Sequence, residues 1–203
     1  MSAASDIVDI EQVLLHERQG RDRGWWHQMR EAFADDARVN LSWYTGDGAG
    51  FVEGSERMSS DGDLAVHRLS PAIIHVRGDR AVAEVSCAVE FQVRIDDVAA
   101  HLVSYTRLNH GLERHPNGWR VLRMDAIYER DTLSPAFPGD SIAVGGSDVA
   151  GFRSSYALLT YYLRGKGYTI GDDLLGDDRP DAVRAFYGEL FDWLGGSDRA
   201  DAE

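Results

Sequence analysis

Between His67 and Arg130 apolar and polar residues alternate over runs far longer than an ordinary strand. Ile73 to Val76 leads into a turn at Gly78-Asp79, and Ala81 to Ile95 follows without a break. Asp96-Asp97 marks a second turn before His101 to Leu112. Pro116-Asn117-Gly118 is a strong hairpin signal ahead of Trp119 to Arg130. Typical strands have five or six residues. Runs of roughly 10–15 residues in one antiparallel meander curl strongly, because strand twist accumulates with length. A curled sheet with one apolar face has to wrap something, either a core or a pocket.

The residues before this meander supply candidates to be wrapped. Ser5 or Asp6 suits a helix N-cap ahead of Ile7, Ile10, Val13 and Leu14. Gly20 interrupts the pattern, and Asp22 stands where a second N-cap would, before Trp25, Trp26, Met29 and Phe33. Asp35-Asp36 closes that helix. The period then changes to two from Ala37 to Trp43, which predicts a half-buried strand. Thr45 to Gly50 is glycine-rich and reads as a loop, followed by a short polar helix around Gly54 to Ser60.

Beyond the meander, Pro135, Pro138, Gly139, Gly145 and Gly146 punctuate a linker. Phe152, Tyr156, Leu159 and Leu163 then share one helical stripe, and Val183, Phe186, Leu190 and Trp193 another, with Pro180 near its start. The expected organisation is a domain over 1–135, a linker over 136–150 and a helical appendage over 151–203. The class is α+β, with N-terminal helices packed on a strongly curved, mostly antiparallel sheet.

Charge removes several function classes. The net charge is −13, and ten acidic against three basic side chains lie between Gly171 and Glu203. Nucleic acid and anionic membrane need a basic face, so neither is expected as a partner. No stretch approaches the roughly 18 apolar residues of a membrane span. Cys87 is the single cysteine, and no Cys/His cluster suggests a metal, so neither metal nor cofactor is expected. The N-terminus lacks a basic segment followed by an apolar run, and the expected location is the cytoplasm. No Walker loop, GxSxG or HExxH occurs. Arg18, Arg21 and Arg23 cluster beside Glu17 and Asp22, a pattern that fits surface ion pairs and also fits an anionic substrate.

Asp22-Arg23-Gly24-Trp25-Trp26 through Asp35-Asp36-Ala37, then His67 with Ser70-Pro71 and the 73–76 strand, then Gly118-Trp119-Arg120-Val121, together resemble the SnoaL-like group. That group belongs to the nuclear transport factor 2-like superfamily of cone-shaped α+β barrels. The resemblance covers about residues 5–130. Two cofactor-free lyases of the superfamily, scytalone dehydratase and hexachlorocyclohexane dehydrochlorinase, are close in pattern. Each uses a histidine base oriented by an aspartate at the start of the second helix. Carried over, the resemblance implies an Asp22–His67 dyad facing the cone's interior, and a homodimer formed through the sheet.

Such a dyad is chemically coherent. A neutral imidazole accepts a proton at neutral pH, and a carboxylate on its other nitrogen fixes the tautomer. Two plainer readings stand beside it: Asp22 equally fits a helix cap, and His67 a surface histidine at a strand entrance. Scytalone dehydratase carries a second histidine on the strand matching 81–95 here, and this chain has none there. Water elimination is therefore less well supported than proton abstraction or isomerisation.

Further pocket candidates follow from strand parity. Leu102, Ser104, Thr106 and Leu108 share one face, small and apolar with two hydroxyls, which suits a pocket wall. Met124 and Tyr128 lie on one face of the last strand, where Tyr128 suits core packing as well as a hydroxyl at the pocket. Trp25, Trp26, Trp43 and Tyr44 would border an aromatic or polycyclic ligand, although Trp26 also suits a core role. Tyr44, Ser104 and Tyr128 are the candidate donors to a developing oxyanion. Glu84 and Glu90 read as solvent-exposed. The leading expectation is a cofactor-independent lyase, isomerase or cyclase acting on a small hydrophobic, cyclic molecule. The alternative is a non-catalytic binding or scaffold protein that resembles the small subunits of ring-hydroxylating dioxygenases.

Overall fold

A computed structural model describes residues 3–60, 62 and 65–195 of the chain. Asp198, Asp201 and Glu203 of the acidic C-terminal stretch, and residues 196–203 of the expected appendage, lie outside the described residues. The helices are α1 (Ala3–Arg23), α2 (Trp26–Glu31), α3 (Gly48–Ser60), α4 (Ala157–Gly165) and α5 (Pro180–Leu194). The strands are β1 (Phe33–Asn40), β2 (Thr45–Asp47), β3 (Ala65–Leu69), β4 (Ile73–Arg77), β5 (Arg80–Ile95), β6 (Val98–His115) and β7 (Gly118–Pro135).

The seven strands form one sheet in the order β2-β1-β7-β6-β5-β3, with β4 also on β5. Every pairing is antiparallel except β1 on β7. Strands β5, β6 and β7 have 16, 18 and 18 residues, so the alternation does translate into unusually long strands. Among the described residues the two sheet ends do not pair with each other. The curl stays unclosed, and α1 and α3 fill its concave side with Ile10, Leu14, Phe51 and Val52.

Two single-residue β-bulges shape the curl. The register of β6 on β7 shifts between Tyr105 and Thr106 and again between Gly111 and Leu112. Glu129 and Leu122 are the residues of β7 left without a partner. A bulge bends a strand and raises its twist, and it also exchanges the two faces of the strand. Because of them, Asp131 opposite Ser104, Tyr128 opposite Thr106, and Val121 opposite Leu112 all face inward, although their sequence parity differs.

Several local expectations need correction. Gly20 does not end the first helix; α1 continues to Arg23 and the chain turns at Gly24, whose φ is 68°. Gly20 serves close packing: a Cβ there would stand 2.8 Å from the backbone nitrogen of Met29. Asp22 is therefore no N-cap and sits in the last turn of α1. Asp35 and Asp36 lie within β1, because Phe33 already pairs with Val121 and burial on the sheet overrides helix propensity. The glycine-rich segment is not a loop throughout: it supplies β2 and the first turn of α3, where Gly48 packs against Phe33 and Ala37.

The last two helices lie on opposite faces of the sheet. Tyr156, Leu159 and Leu163 join the inner cluster. On α5, Phe186, Leu190 and Leu194 cover Val82 and Ile127 on the outer face. Glu84 is accordingly half-buried rather than exposed, held at 2.7 Å by Arg107 and bonded by the Tyr187 hydroxyl of α5. Between the helices, residues 175–177 extend the β7 edge beyond the end of β1: Leu175 O accepts from Tyr128 N at 3.0 Å, and Tyr128 O from Asp177 N at 3.0 Å. No helix among the described residues is long and apolar enough to cross a membrane.

Candidate active site

The concave side of the sheet holds a recess of about 600 Å³, counted to its open mouth, of which about 60 Å³ has room for solvent-sized atoms. Its walls are apolar and aromatic: Trp43, Phe51, Phe91, Leu108, Leu159 and Leu163. The polar groups that reach it are Arg18, Arg21, Ser42, His67, Ser104, Thr106 and Tyr128. Among the described residues no three His, Cys, Asp or Glu side chains stand together as a metal-ligand group.

Asp22 and His67 meet at this recess. Continuation of α1 past Gly20 swings Asp22 against β3. There Oδ1 lies 2.6 Å from His67 Nδ1, and Oδ2 accepts the His67 backbone N–H at 2.9 Å. The side chains are 14% and 9% exposed. With Nδ1 donating to the carboxylate, the lone pair on Nε2 is the imidazole's remaining acceptor. Burial depresses the His67 pKa to about 4; the Asp22 hydrogen bond opposes this, and the Arg18 and Arg21 cations add to it. The imidazole is therefore neutral at pH 7. Burial pushes the Asp22 carboxyl up, but its hydrogen bonds from His67 outweigh that and hold it below the usual value.

Hydroxyl groups line the same recess as His67. Tyr128 Oη accepts the Ser42 backbone N–H at 2.8 Å, which leaves its own proton for a ligand. Burial raises the Tyr128 phenol to about 12, so it stays an O–H donor. Ser104 Oγ lines the recess beside the Asp131 carboxyl, whose pKa its hydroxyl helps to lower. Thr106 Oγ1 reaches only Cys87 O, at 3.5 Å. Opposite Ser104 in the ladder, Asp131 caps α4 by accepting Leu159 N at 2.9 Å. Burial raises that carboxyl to about 6 against these hydrogen bonds. The Cys87 thiol is pushed up to about 12 by burial and is not a nucleophile.

Three of the expected pocket residues are elsewhere. Trp25 follows the turn after α1 and is 52% exposed. Tyr44 stands behind the recess wall, its ring centroid 5.6 Å from those of Trp43 and Phe51 and its hydroxyl donating to Asp47 O of β2 at 2.9 Å. Met124 is buried on the inner face but deeper than the recess, among core side chains. Trp43 does line the recess, joined by Phe51 with ring centroids 5.5 Å apart and by α4's Leu159 and Leu163. The apolar stripe on α4 announced a contact in the sequence, but not which face of the sheet would receive it.

The description "SnoaL-like domain" matches residues 2–125, more than half of the chain. The chain belongs to the SnoaL-like family. Solved structures of the same fold include a proposed scytalone dehydratase from Novosphingobium aromaticivorans, 13% identical with a TM-score of 0.53, matched over 70% of this chain and 95% of that one. A proposed dehydratase of the nuclear transport factor 2-like family from Streptomyces avermitilis is 12% identical with a TM-score of 0.53, over 62% and 97%. A variant of Rv3472, a protein of unknown function from Mycobacterium tuberculosis, is 11% identical with a TM-score of 0.52, over 81% and 96%. These likenesses establish the cone-shaped α+β architecture and no activity. A comparison with curated proteins finds no match. Helices α4 and α5 lie beyond the SnoaL-like match, yet α4 walls the recess.

Proposed function

We propose that this SnoaL-like protein is a cofactor-independent enzyme that removes a proton from carbon in a small hydrophobic, cyclic molecule. The observation that carries this reading is the imidazole of His67, bound through Nδ1 to Asp22 at 2.6 Å and lining an apolar recess. Nε2 takes the proton, and the C–H electron pair moves into an adjacent carbonyl to give an enolate. Asp22 holds the Nδ1–H tautomer and stabilises the imidazolium that forms. Tyr128 and Ser104 donate to the enolate oxygen. Return of the proton at another carbon is isomerisation, loss of a leaving group is a lyase reaction, and attack of the enolate within the same molecule is cyclisation. With no histidine on β5 to assist a leaving hydroxyl, the first of these needs the fewest groups. Trp43 and Phe51 offer the ring contacts, and Thr106 a further wall. The test is wash-out of deuterium from the acidic carbon of cyclic ketones: His67→Ala and Asp22→Asn should each remove it while both proteins stay folded.

A second reading is favoured by the small deep volume. With Leu159 and Leu163 seated, about 60 Å³ remains, which suits a binding or scaffold protein resembling the small subunits of ring-hydroxylating dioxygenases. Undiminished exchange in both variants would decide for it. We also place the expected homodimer contact on the outer face near Gln92, His101 and Val103, since α5 already covers Val82 and Ile127. A monomeric mass at micromolar concentration would remove that contact. A reducing, cytoplasmic setting suits the single buried thiol of Cys87.

A further inference from the structure

Two arginines reach the recess, and they are not equivalent. Arg18 is matched: its guanidinium forms a two-pronged pair with Glu17, Nε to Oε2 and Nη2 to Oε1. Arg21 is not. It is 5% exposed and lines the recess, and among the described residues its hydrogen bond is from Nη2 to the thioether of Met58 at 3.2 Å. A guanidinium has five donors in a planar fork, and a thioether is a weak acceptor. The neighbouring carboxylates are already engaged, Glu17 by Arg18 and both oxygens of Asp22 by His67. Among the described residues none forms an ion pair with Arg21.

Burial lowers the Arg21 pKa to about 10, with Arg18 adding to the fall and the charges of Asp22, Glu17 and Tyr168 opposing it, so the side chain remains charged. A buried cation without a counter-ion is costly, and natural folds hold one where something else supplies the opposite charge. The fork geometry matches a carboxylate in two-pronged fashion.

We propose that Arg21 anchors the anionic group of an amphipathic ligand, an aromatic or alicyclic carboxylate whose apolar body lies against Trp43 and Phe51. Arg21 immediately precedes Asp22 and faces the same recess as His67, so the anchored anion sits beside the imidazole. The inference rests on the recess being a ligand site and does not require His67 to be a base. The bland competitor is that Asp22 balances Arg21 at a distance and no ligand is needed.

A matched pair of small probes separates the two. Benzoate and benzamide have the same ring and nearly the same shape, and only one is charged at pH 7. Binding is read by calorimetry, with wild type, Arg21→Met and Arg21→Gln each checked for folding by its thermal midpoint. The expected result is that wild type prefers benzoate by about tenfold or more, the range for charge-assisted two-pronged hydrogen bonds. Both variants should lose that preference while still binding benzamide. Equal binding of the two probes by wild type, a preference that survives in both variants, or no saturable benzoate binding would each overturn the anchor. If benzamide still binds in any of these cases, the recess stands as a ligand site and only the charge assignment falls.

Discussion

Asp22 grips His67 twice, taking the backbone N–H on Oδ2 at 2.9 Å and the imidazole Nδ1 on Oδ1 at 2.6 Å. One carboxylate thus fixes both the position of β3's residue and the orientation of its ring. Asp22→Asn can keep one of these contacts but turns an acceptor pair into one acceptor and one donor. The variant should stay folded and lose activity by about 10³-fold, within the range for general-base catalysis, with most of the loss in kcat. A loss confined to KM would mean that Asp22 only shapes the pocket.

The helix turn that delivers Asp22 depends on Gly20. In an ordinary helix interior Gly→Ala stabilises by up to about 1 kcal/mol. Here the new Cβ would meet the Met29 backbone nitrogen at 2.8 Å, so Gly20→Ala should instead destabilise by about 1–3 kcal/mol. Denaturant titration reads the sign, and a stabilised variant would contradict the packing role.

Stability should fall with acid in a defined window. Burial holds His67 at about 4 and His110 at about 3, below the ordinary value near 6.5. Unfolded chains take up these protons first, so the stabilising contribution is complete above pH 6.5 and is lost as pH falls towards 4. Asp131, raised to about 6, acts in the opposite sense and regains stability over part of the same range. The two histidines outweigh it, and the net loss by pH 4 is on the order of 3 kcal/mol. Urea midpoints across pH 4–7 should show this fall, and Asp131→Asn should steepen it.

Leu159 and Leu163 fill the recess from α4. Leu163→Ala should cost about 2–5 kcal/mol and enlarge the space. The enlarged recess should take up bulkier aromatic probes than wild type does. Unchanged probe size in a stable variant would show that α4 does not limit entry.

The meander was legible because long alternation has one physical solution, a curled antiparallel sheet. Ser104, Thr106 and Tyr128 were legible as pocket residues for the same reason. What stayed hidden depends on distant contacts. Gly20 looks like a helix stop in sequence, and only Met29 packing against it explains why the helix continues. The bulges at Glu129 and Leu122 leave no local mark, yet they turn Asp131 inward. Tyr44 and Trp25 carry the aromatic character of pocket residues, but Trp25 is exposed after the turn and Tyr44 packs behind Trp43 and Phe51. The stripes on α4 and α5 look alike, and the two helices settle on opposite faces of the sheet.

The state of the His67 ring tests the central claim most directly. Long-range nitrogen–proton correlation spectra of ¹⁵N-labelled protein, assigned with His67→Gln, report which ring nitrogen carries the proton. The account predicts a neutral ring at pH 7 with the proton on Nδ1 and a bare Nε2, persisting until the pH falls to about 4. A proton on Nε2 alone, or an imidazolium at pH 7, would contradict it, because neither form leaves a base facing the recess.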